Sequence, residues 1–325
     1  MDIAYNGIWG YHPLVISLAN TQEPLFMVNR SGNKTSSSGA AAYFSQAADL
    51  CKNGGFKSIR FRGDTDFSQT AYLDDWDSQN YEFNFGIAAM SNLVETAETL
   101  AETAWDPLER KSKYTVKTQP REKPDNVKAQ IIKARQFKNL HLNCEHVAEF
   151  DYKPTLCKKS YRMVVVRKNI SVEKGDALLF DEIRYFFYIT NDRQMSKSDI
   201  VFDANQRCQQ ENLLGQFKHG VHSMRMPVDT LESNWAYMIM SSLAWSLKSW
   251  MGLLLPTGGR WASRRLQEKC EVMRMEFKTF RHYFIHLPCQ IVKTGRRVVY
   301  RLLGWNQYLP VLIRAFDTFR RPLQC

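Results

Sequence analysis

The sequence has little of what marks a secreted, zinc-binding or membrane-spanning protein. Its seven cysteines are an odd number, lie far apart and form no CxxC pair or Cys/His cluster, which argues against a disulfide framework and a zinc site. The longest apolar stretch, 235–255, is interrupted by four serines and one lysine, so we expect a buried helix there. No charged segment followed by an apolar one opens the chain, as it would in a secretory signal. These absences predict a cytoplasmic protein with reduced thiols.

Charge is unevenly distributed along the 325 residues. The net charge is +11, and residues 251–325 hold fourteen Arg or Lys and four Asp or Glu, so nearly all of the excess lies in that block. Apolar residues make up 44% and aromatic residues 13%, which predicts a folded chain of two or three units. A basic block indicates a polyanionic partner, most often nucleic acid. The alternative is a solvated basic face that maintains solubility.

The periodicity of the first ninety residues predicts a mixed α/β fold. Strands are predicted at 11–19, 24–31, 56–64 and 81–87, and helices at 40–51 and 69–79. The first two strands flank a short polar turn and form a hairpin. Strand, strand, helix, strand, helix, strand is an order typical of α/β layer folds.

The remainder of the chain changes character several times. Residues 107–135 are polar and charged, and strands are predicted again at 160–170 and 183–191. A helix is predicted from 196–199 through 218, and a long apolar helix follows Asn234. Residues 256–259 (PTGG) break the chain, and the basic remainder is predicted to be helical.

The first motif that could carry chemistry is Ala204-x2-Arg207-x3-Glu211-x6-Lys218. On one continuous helix these four positions share a face. A carboxylate between two cations suits a phosphodiester site, with Glu211 holding a metal ion and Arg207 and Lys218 contacting phosphates. The alternative is an ordinary helix surface with salt bridges.

The second motif is the segment from Arg62 to Phe67, RGDTDF. Asp64 follows an apolar strand, at the end of a sheet where α/β proteins place ligands. The alternative is a local role as a helix N-cap or Asx-turn at Asp64 or Asp66.

Together the two motifs resemble bacterial insertion-sequence transposases of the DDE superfamily, which have a ribonuclease H-like catalytic domain. Their signature is Tyr-x2-Arg-x3-Glu-x6-Lys, and this chain has alanine at the position of the tyrosine. The same class carries Arg-x-Asp-x-x-Phe at the end of a core strand, as in 62–67. Segments 9–33, 185–192 and 234–245 are also similar to one subgroup, so the resemblance covers nearly the whole chain.

The resemblance implies a fold, a chemistry and partners. The fold is a ribonuclease H-like mixed sheet flanked by helices, and the chemistry is DNA strand cleavage and strand transfer. In the family, Asp, Asp and Glu bind two Mg²⁺ or Mn²⁺ ions. Asp64 would be the second carboxylate and Glu211 the third, while Arg207 and Lys218 would bind the transposon end. The implied partners are DNA and a second copy or a full-length transposase, at the bacterial nucleoid.

The resemblance also predicts four regions. Residues 1–90 would form the first part of the core, 91–195 a β-rich insertion, 196–255 the part of the core with the catalytic helix, and 256–325 a basic helical C-terminal region.

The first carboxylate of the family is expected to be missing. It lies on a strand just before the hairpin, and here the hairpin starts about ten residues after Met1, with Asp2 as the only acid before it. We therefore expect an N-terminally truncated core that lacks its first strand, leaves the neighbouring strands with open edges and is inactive alone. Three alternatives are open: a non-catalytic protein that binds DNA or transposase and inhibits transposition, a decayed fragment, and an enzyme whose reading frame starts upstream of Met1.

Three tryptophans also admit two interpretations. They could stack on a flipped base, as aromatic side chains do in nucleic-acid sites, but core packing is the better expectation for each. The three are Trp76, Trp105 and Trp235.

Overall fold

The computed structural model describes residues 1–4, 6–110, 127–174, 177–206 and 208–320, with the backbone alone at 129 and 177–179. The chain divides into two compact units, one of residues 39–207 and the other of 1–38 together with 208–325. The strands are β1 (Asp2–Ile3), β2 (Trp9–Gly10), β3 (Leu14–Leu18), β4 (Glu23–Val28), β5 (Arg60–Gly63), β6 (Glu82–Ile87), β7 (Asp106–Pro107), β8 (Lys138–Tyr152), β9 (Tyr161–Lys174), β10 (Ala177–Thr190), β11 (Cys289–Thr294) and β12 (Arg297–Leu302). The α-helices are α1 (Ala40–Asn53), α2 (Leu73–Ser78), α3 (Ser91–Glu98), α4 (Val127–Ala134), α5 (Lys197–Asn205), α6 (Cys208–Gly215), α7 (Leu231–Leu254), α8 (Ala262–Arg274), α9 (Phe277–Phe280) and α10 (Leu309–Phe319).

A six-stranded mixed sheet forms the centre of the 39–207 unit. Its strand order is β5-β6-β10-β9-β8-β7, with β5 parallel to β6 and every other pair antiparallel. The predicted α/β fold with a mixed sheet is therefore confirmed. The strands predicted at 160–170 and 183–191 are β9 and β10, and β10 pairs with β6, so they extend the sheet that β5 and β6 begin. The division into four regions stays a prediction.

Neighbouring residues of a strand point to opposite sides of the sheet. Apolar side chains occur on both sides here, and helices cover both faces. On one face α1 and α2 contribute Phe44 and Trp76 to an aromatic cluster with Phe61 and Phe85, at ring-centroid distances of 5.1–6.0 Å. On the other face α5 packs against apolar residues of β8 and β9. Asn84, between two phenylalanines of β6, turns to this second face and donates a hydrogen bond to the Ile200 carbonyl, 2.9 Å.

The second unit packs helices around the long helix α7. The predicted hairpin is β3–β4, and two indole N–H groups of α7 donate to its backbone: Trp235 to the Met27 carbonyl and Trp245 to the Gln22 carbonyl, at 2.6 and 2.8 Å. Helices α6, α8, α9 and α10 complete an apolar core around Trp245 and Phe217. None of the helices in the described ranges has the length and apolar character that crossing a bilayer requires.

Core packing is confirmed for the three tryptophans. Trp76 and Trp105 are buried, and Trp235 is partly buried with its indole N–H bonded to β4.

The prediction that 256–325 is helical is wrong for 289–302. There β11 and β12 form an antiparallel hairpin around a two-residue turn at Gly295 and Arg296, and Gly295 has φ +54°. A positive φ is available to glycine at little cost, which permits so tight a connection. The β-branched residues on both sides of this turn favour strands, and the basic composition of the block obscured them.

Candidate functional site

The turn after β5 holds Asp64 at the edge of the 39–207 sheet. Glycine fits at position 63 because it has no Cβ. A Cβ there would lie 2.8 Å from the Cβ of Phe67 and 3.2 Å from the ring of Phe85, closer than ordinary contact. Phe67 in turn packs edge-on against Phe44, with ring centroids 6.3 Å apart. The close packing around Gly63 and the ring contact of Phe67 therefore fix the position of Asp64.

The Asp64 carboxylate is half-buried and caps the short 3-10 helix Thr65–Phe67. Its Oδ1 accepts a hydrogen bond from the Asp66 N–H at 3.1 Å, and its carbonyl accepts one from the Phe67 N–H. The local role considered in the sequence is thus present. It does not exclude a second role, since an ionised carboxylate has about four acceptor positions. Asp66 enters the turn through its N–H, and its side chain is exposed.

Arg62 connects the strand that leads to Asp64 with the end of α5. Its Nη1 donates to the Asp203 carbonyl and carboxylate, at 3.2 and 3.1 Å, and to Oε1 of Gln206 at 3.2 Å. Asn84 of β6 donates to the same Asp203 carboxylate at 3.0 Å. The ends of β5, β6 and α5 are therefore joined at one carboxylate.

A second arginine of β5 extends this network along the same face. Arg60 contacts the carboxylates of Glu82 and Asp192, each at 2.6 Å, and that of Asp203 at 3.9 Å. For Asp192, burial alone would raise the carboxyl pKa. The backbone N–H groups of Met195 and Gln194 and the charge of Arg60 outweigh burial, so the pKa is lowered. The two motifs in the sequence do not indicate these partners. Arginines two positions apart on a strand were the available signal, because they share a face and need acids there.

The single helix predicted to carry the Arg-x3-Glu-x6-Lys motif is two separate helices, α5 and α6. Helix α5 ends at Asn205, where the Gln206 N–H bonds to the Phe202 and Asp203 carbonyls, and α6 begins at Cys208. Arg207 lies outside the described residues. The prediction of one helix from 196–199 through 218 is therefore wrong, and Ala204 and Glu211 belong to different helices.

Glu211 and Lys218 lie on α6 and on the turn that continues it. Glu211 is exposed in the first turn of α6, where a carboxylate is favourably placed relative to the helix dipole. Lys218 is exposed in the π-helical turn Gln216–Gly220. Since a π turn has more residues than an α turn, a spacing of seven no longer returns to the same face. Leu213 and Phe217 are buried and anchor this segment in its own unit.

The carboxylates proposed as metal ligands occur one in each unit. Asp64 belongs to the 39–207 unit, and Glu211 belongs to the other. Both offer the hard oxygens that Mg²⁺ or Mn²⁺ prefers. Within the parts of the chain that the structure describes, no group of three or more His, Cys, Asp or Glu side chains is arranged to hold a metal ion. The assignment of Asp64 and Glu211 as ligands stays a prediction.

Asp2, the acid considered as a substitute for the first carboxylate, lies in the short strand β1. Its Oδ1 accepts a hydrogen bond from the neighbouring Ile3 N–H at 2.8 Å, and its backbone pairs with Gly10 of β2. This is a local arrangement.

The β11–β12 hairpin concentrates exposed positive charge. Residues 289–302 contain four cationic side chains and no Asp or Glu. All four are exposed: Lys293, Arg296, Arg297 and Arg301. On β12, Arg297 and Arg301 are four residues apart and share a face, which separates their Cα atoms by about 13 Å. That spacing is close to the width of the DNA major groove, about 12 Å.

Comparison with family models gives a match over nearly the entire chain. The model described as "Transposase DDE domain group 1" matches residues 3–322. A search of curated proteins gives no match. The matched range includes both motifs and the basic hairpin.

Proposed function

The chain belongs to the transposase DDE domain family, and on that premise we propose that it acts on DNA phosphodiester bonds at the ends of an insertion sequence. The observation that carries this proposal is the joint match of fold and sequence: a mixed α/β sheet, and a family match over residues 3–322. Transposition requires strand cleavage followed by strand transfer, both at phosphate.

We assign Asp64 and Glu211 as the carboxylates that hold divalent ions. When bound, Mg²⁺ or Mn²⁺ would activate the attacking oxygen and stabilise the leaving oxygen. The support for Asp64 is its place at the carboxyl end of β5, in a turn fixed by packing. The support for Glu211 is its exposure on α6, in the helical segment that continues to the exposed Lys218.

We further propose that DNA contacts involve Arg207, Lys218 and the β11–β12 hairpin. The support is charge and exposure, since an acid-free ribbon with four cations attracts phosphates. DNA as the partner also agrees with the predicted location at the bacterial nucleoid.

The second candidate function is a non-catalytic protein that binds DNA or full-length transposase and lowers transposition. One observation favours it: among the described residues, β5 is the terminal strand of its sheet and pairs only with β6. An edge strand offers backbone groups to a strand from another chain.

The deciding experiment incubates the protein with transposon-end duplexes and Mg²⁺ or Mn²⁺ and counts nicks on sequencing gels. We expect cleavage that Asp64→Asn or Glu211→Gln abolishes and that the control Asp66→Asn retains. Cleavage that survives both substitutions would contradict the carboxylate assignment. Binding of the duplexes without nicks would favour the non-catalytic candidate.

A further inference from the structure

One face of α7 carries large apolar side chains that are exposed. Six residues, named the α7 seam, define this face: Ala236, Met240, Leu243, Leu247, Trp250 and Leu254. The five large side chains among them are between 38% and 68% exposed. On a soluble protein, a contiguous apolar surface of this kind marks a site of interaction with another molecule.

The buried face of α7 combines apolar and small polar residues. Met238 and Trp245 are buried there together with Ser242, Ser246 and Ser249. Lys248, the only charged residue between 233 and 259, is also buried and donates from Nζ to the Met273 carbonyl at 2.8 Å. The seam therefore has no charged residue of its own, and its large side chains are exposed; the indole N–H of Trp250 donates to the Glu23 carboxylate of β4 at one end of it.

The spacing of the seam is symmetrical. Successive members are separated by four, three, four, three and four residues, which is the repeat of a coiled-coil face. Reversing the direction of the helix about position 245 reproduces the same spacing. In an antiparallel pair, Met240 would lie opposite Trp250 and Leu243 opposite Leu247, so the face is complementary to itself.

We propose that a second copy of this chain covers the α7 seam in an antiparallel pairing about a two-fold axis. A C2 interface uses the same patch on both copies, which is what a symmetrical seam provides. With about 200 Å² for a large apolar residue, the seam and its neighbours Ile239 and Leu253 expose about 700 Å² per copy. The total of about 1,400 Å² falls within the range of stable protein interfaces.

This pairing rests on the proposed function in one respect: the α7 seam would be the surface of the oligomer that the family resemblance predicts. Its test is sedimentation equilibrium of the full chain at micromolar concentrations. We expect a dimer, and we expect Leu247→Glu to weaken it on the order of 100-fold, because each copy places a charge in the apolar interface. The matched control is Leu266→Glu on α8, since Leu247 and Leu266 are each 54% exposed. Circular dichroism confirms that both variants keep their helices.

Charge pairing tests the antiparallel orientation. Leu243→Glu combined with Leu247→Lys places opposite charges across an antiparallel seam, whereas Leu243→Glu with Leu247→Glu places like charges there. The first pair of substitutions should dimerise at least tenfold more tightly than the second, since like charges repel. Equal dimerisation of these two would overturn the antiparallel arrangement.

Two results would overturn the pairing itself. One is a wild-type chain that stays monomeric at these concentrations, as would follow if another partner covers the seam. The other is a dimer that Leu247→Glu and Leu266→Glu weaken equally. DNA binding measured on the same samples separates this inference from the proposed function: a monomer that binds transposon ends contradicts only the pairing, and a dimer that does not bind them contradicts only the function.

Discussion

Replacing Arg62 with alanine should destabilise the 39–207 unit and loosen the end of α5. The substitution removes three hydrogen bonds, to the Asp203 carbonyl, the Asp203 carboxylate and the Gln206 side chain. The guanidinium and the carboxylate are each 16% exposed, so solvent compensates only in part. Asp203 keeps its hydrogen bond from Asn84, which places the loss below that of a fully orphaned buried charge.

We expect a loss of about 2 kcal/mol in the free energy of unfolding, intermediate between a single charged hydrogen bond and a broken buried ion pair. The assay is hydrogen exchange of peptides that cover 197–206, together with the thermal midpoint. Exchange should rise most at the C-terminal turn of α5, which leads directly into Arg207. Asp203→Asn should give a similar but smaller change because the amide retains some of the hydrogen bonds.

The control for Arg62→Ala is an arginine of the same unit in an exposed ion pair. Arg193 lies 2.6 Å from Asp151, and the two side chains are 53% and 66% exposed. Its replacement with alanine should cost less than about 0.5 kcal/mol, as surface pairs do. Equal effects of the two substitutions, or unchanged exchange at 197–206 in Arg62→Ala, would refute the role of Arg62 as the connection between β5 and α5.

Three further predictions concern other features. Gly63→Ala should destabilise its unit by about 1–3 kcal/mol in urea unfolding, because the new Cβ has no room; Gly215→Ala, where nothing lies within 4 Å, should be neutral or stabilising. Removing Arg296 and Arg297 together should lower DNA affinity and reduce the slope of log K against log salt by about 2; an unchanged slope would exclude the hairpin from binding. Burial lowers the pKa of Lys248 to about 8 from its ordinary 10.5, so between these values the unfolded chain binds more protons and stability rises with pH. Lys248→Met should remove this rise in urea titrations, and an equal rise in both proteins would contradict it.

Local patterns predicted most of the secondary structure, and long-range contacts account for what they missed. The hairpin β3–β4, the strands β5 and β6 and the helix α7 each have a clear period of apolar residues. The end of α5 is different, because its contact with Arg62 joins positions 141 residues apart in the chain, and no local pattern indicates it. The π-helical winding at Lys218, next to the buried Phe217, is likewise not indicated by a local pattern. Ideal helix spacing, from which the shared face of the motif was predicted, indicates neither the end of α5 nor the π-helical turn.

Asp64 shows why a motif alone does not establish a catalytic role. Three neighbours in the segment 62–67 have a structural task in this fold: Arg62 binds α5, Gly63 permits the turn and Phe67 packs in the aromatic cluster. Asp64 itself caps the turn, so its presence is explained without chemistry. Asp64→Asn separates the two roles, since asparagine caps as well as aspartate but lacks the charge that binds Mg²⁺ or Mn²⁺. We expect a change in stability below about 0.5 kcal/mol together with loss of cleavage. A large loss of stability would show that the carboxylate is needed for the fold, and retained cleavage would show that it is needed for the turn alone.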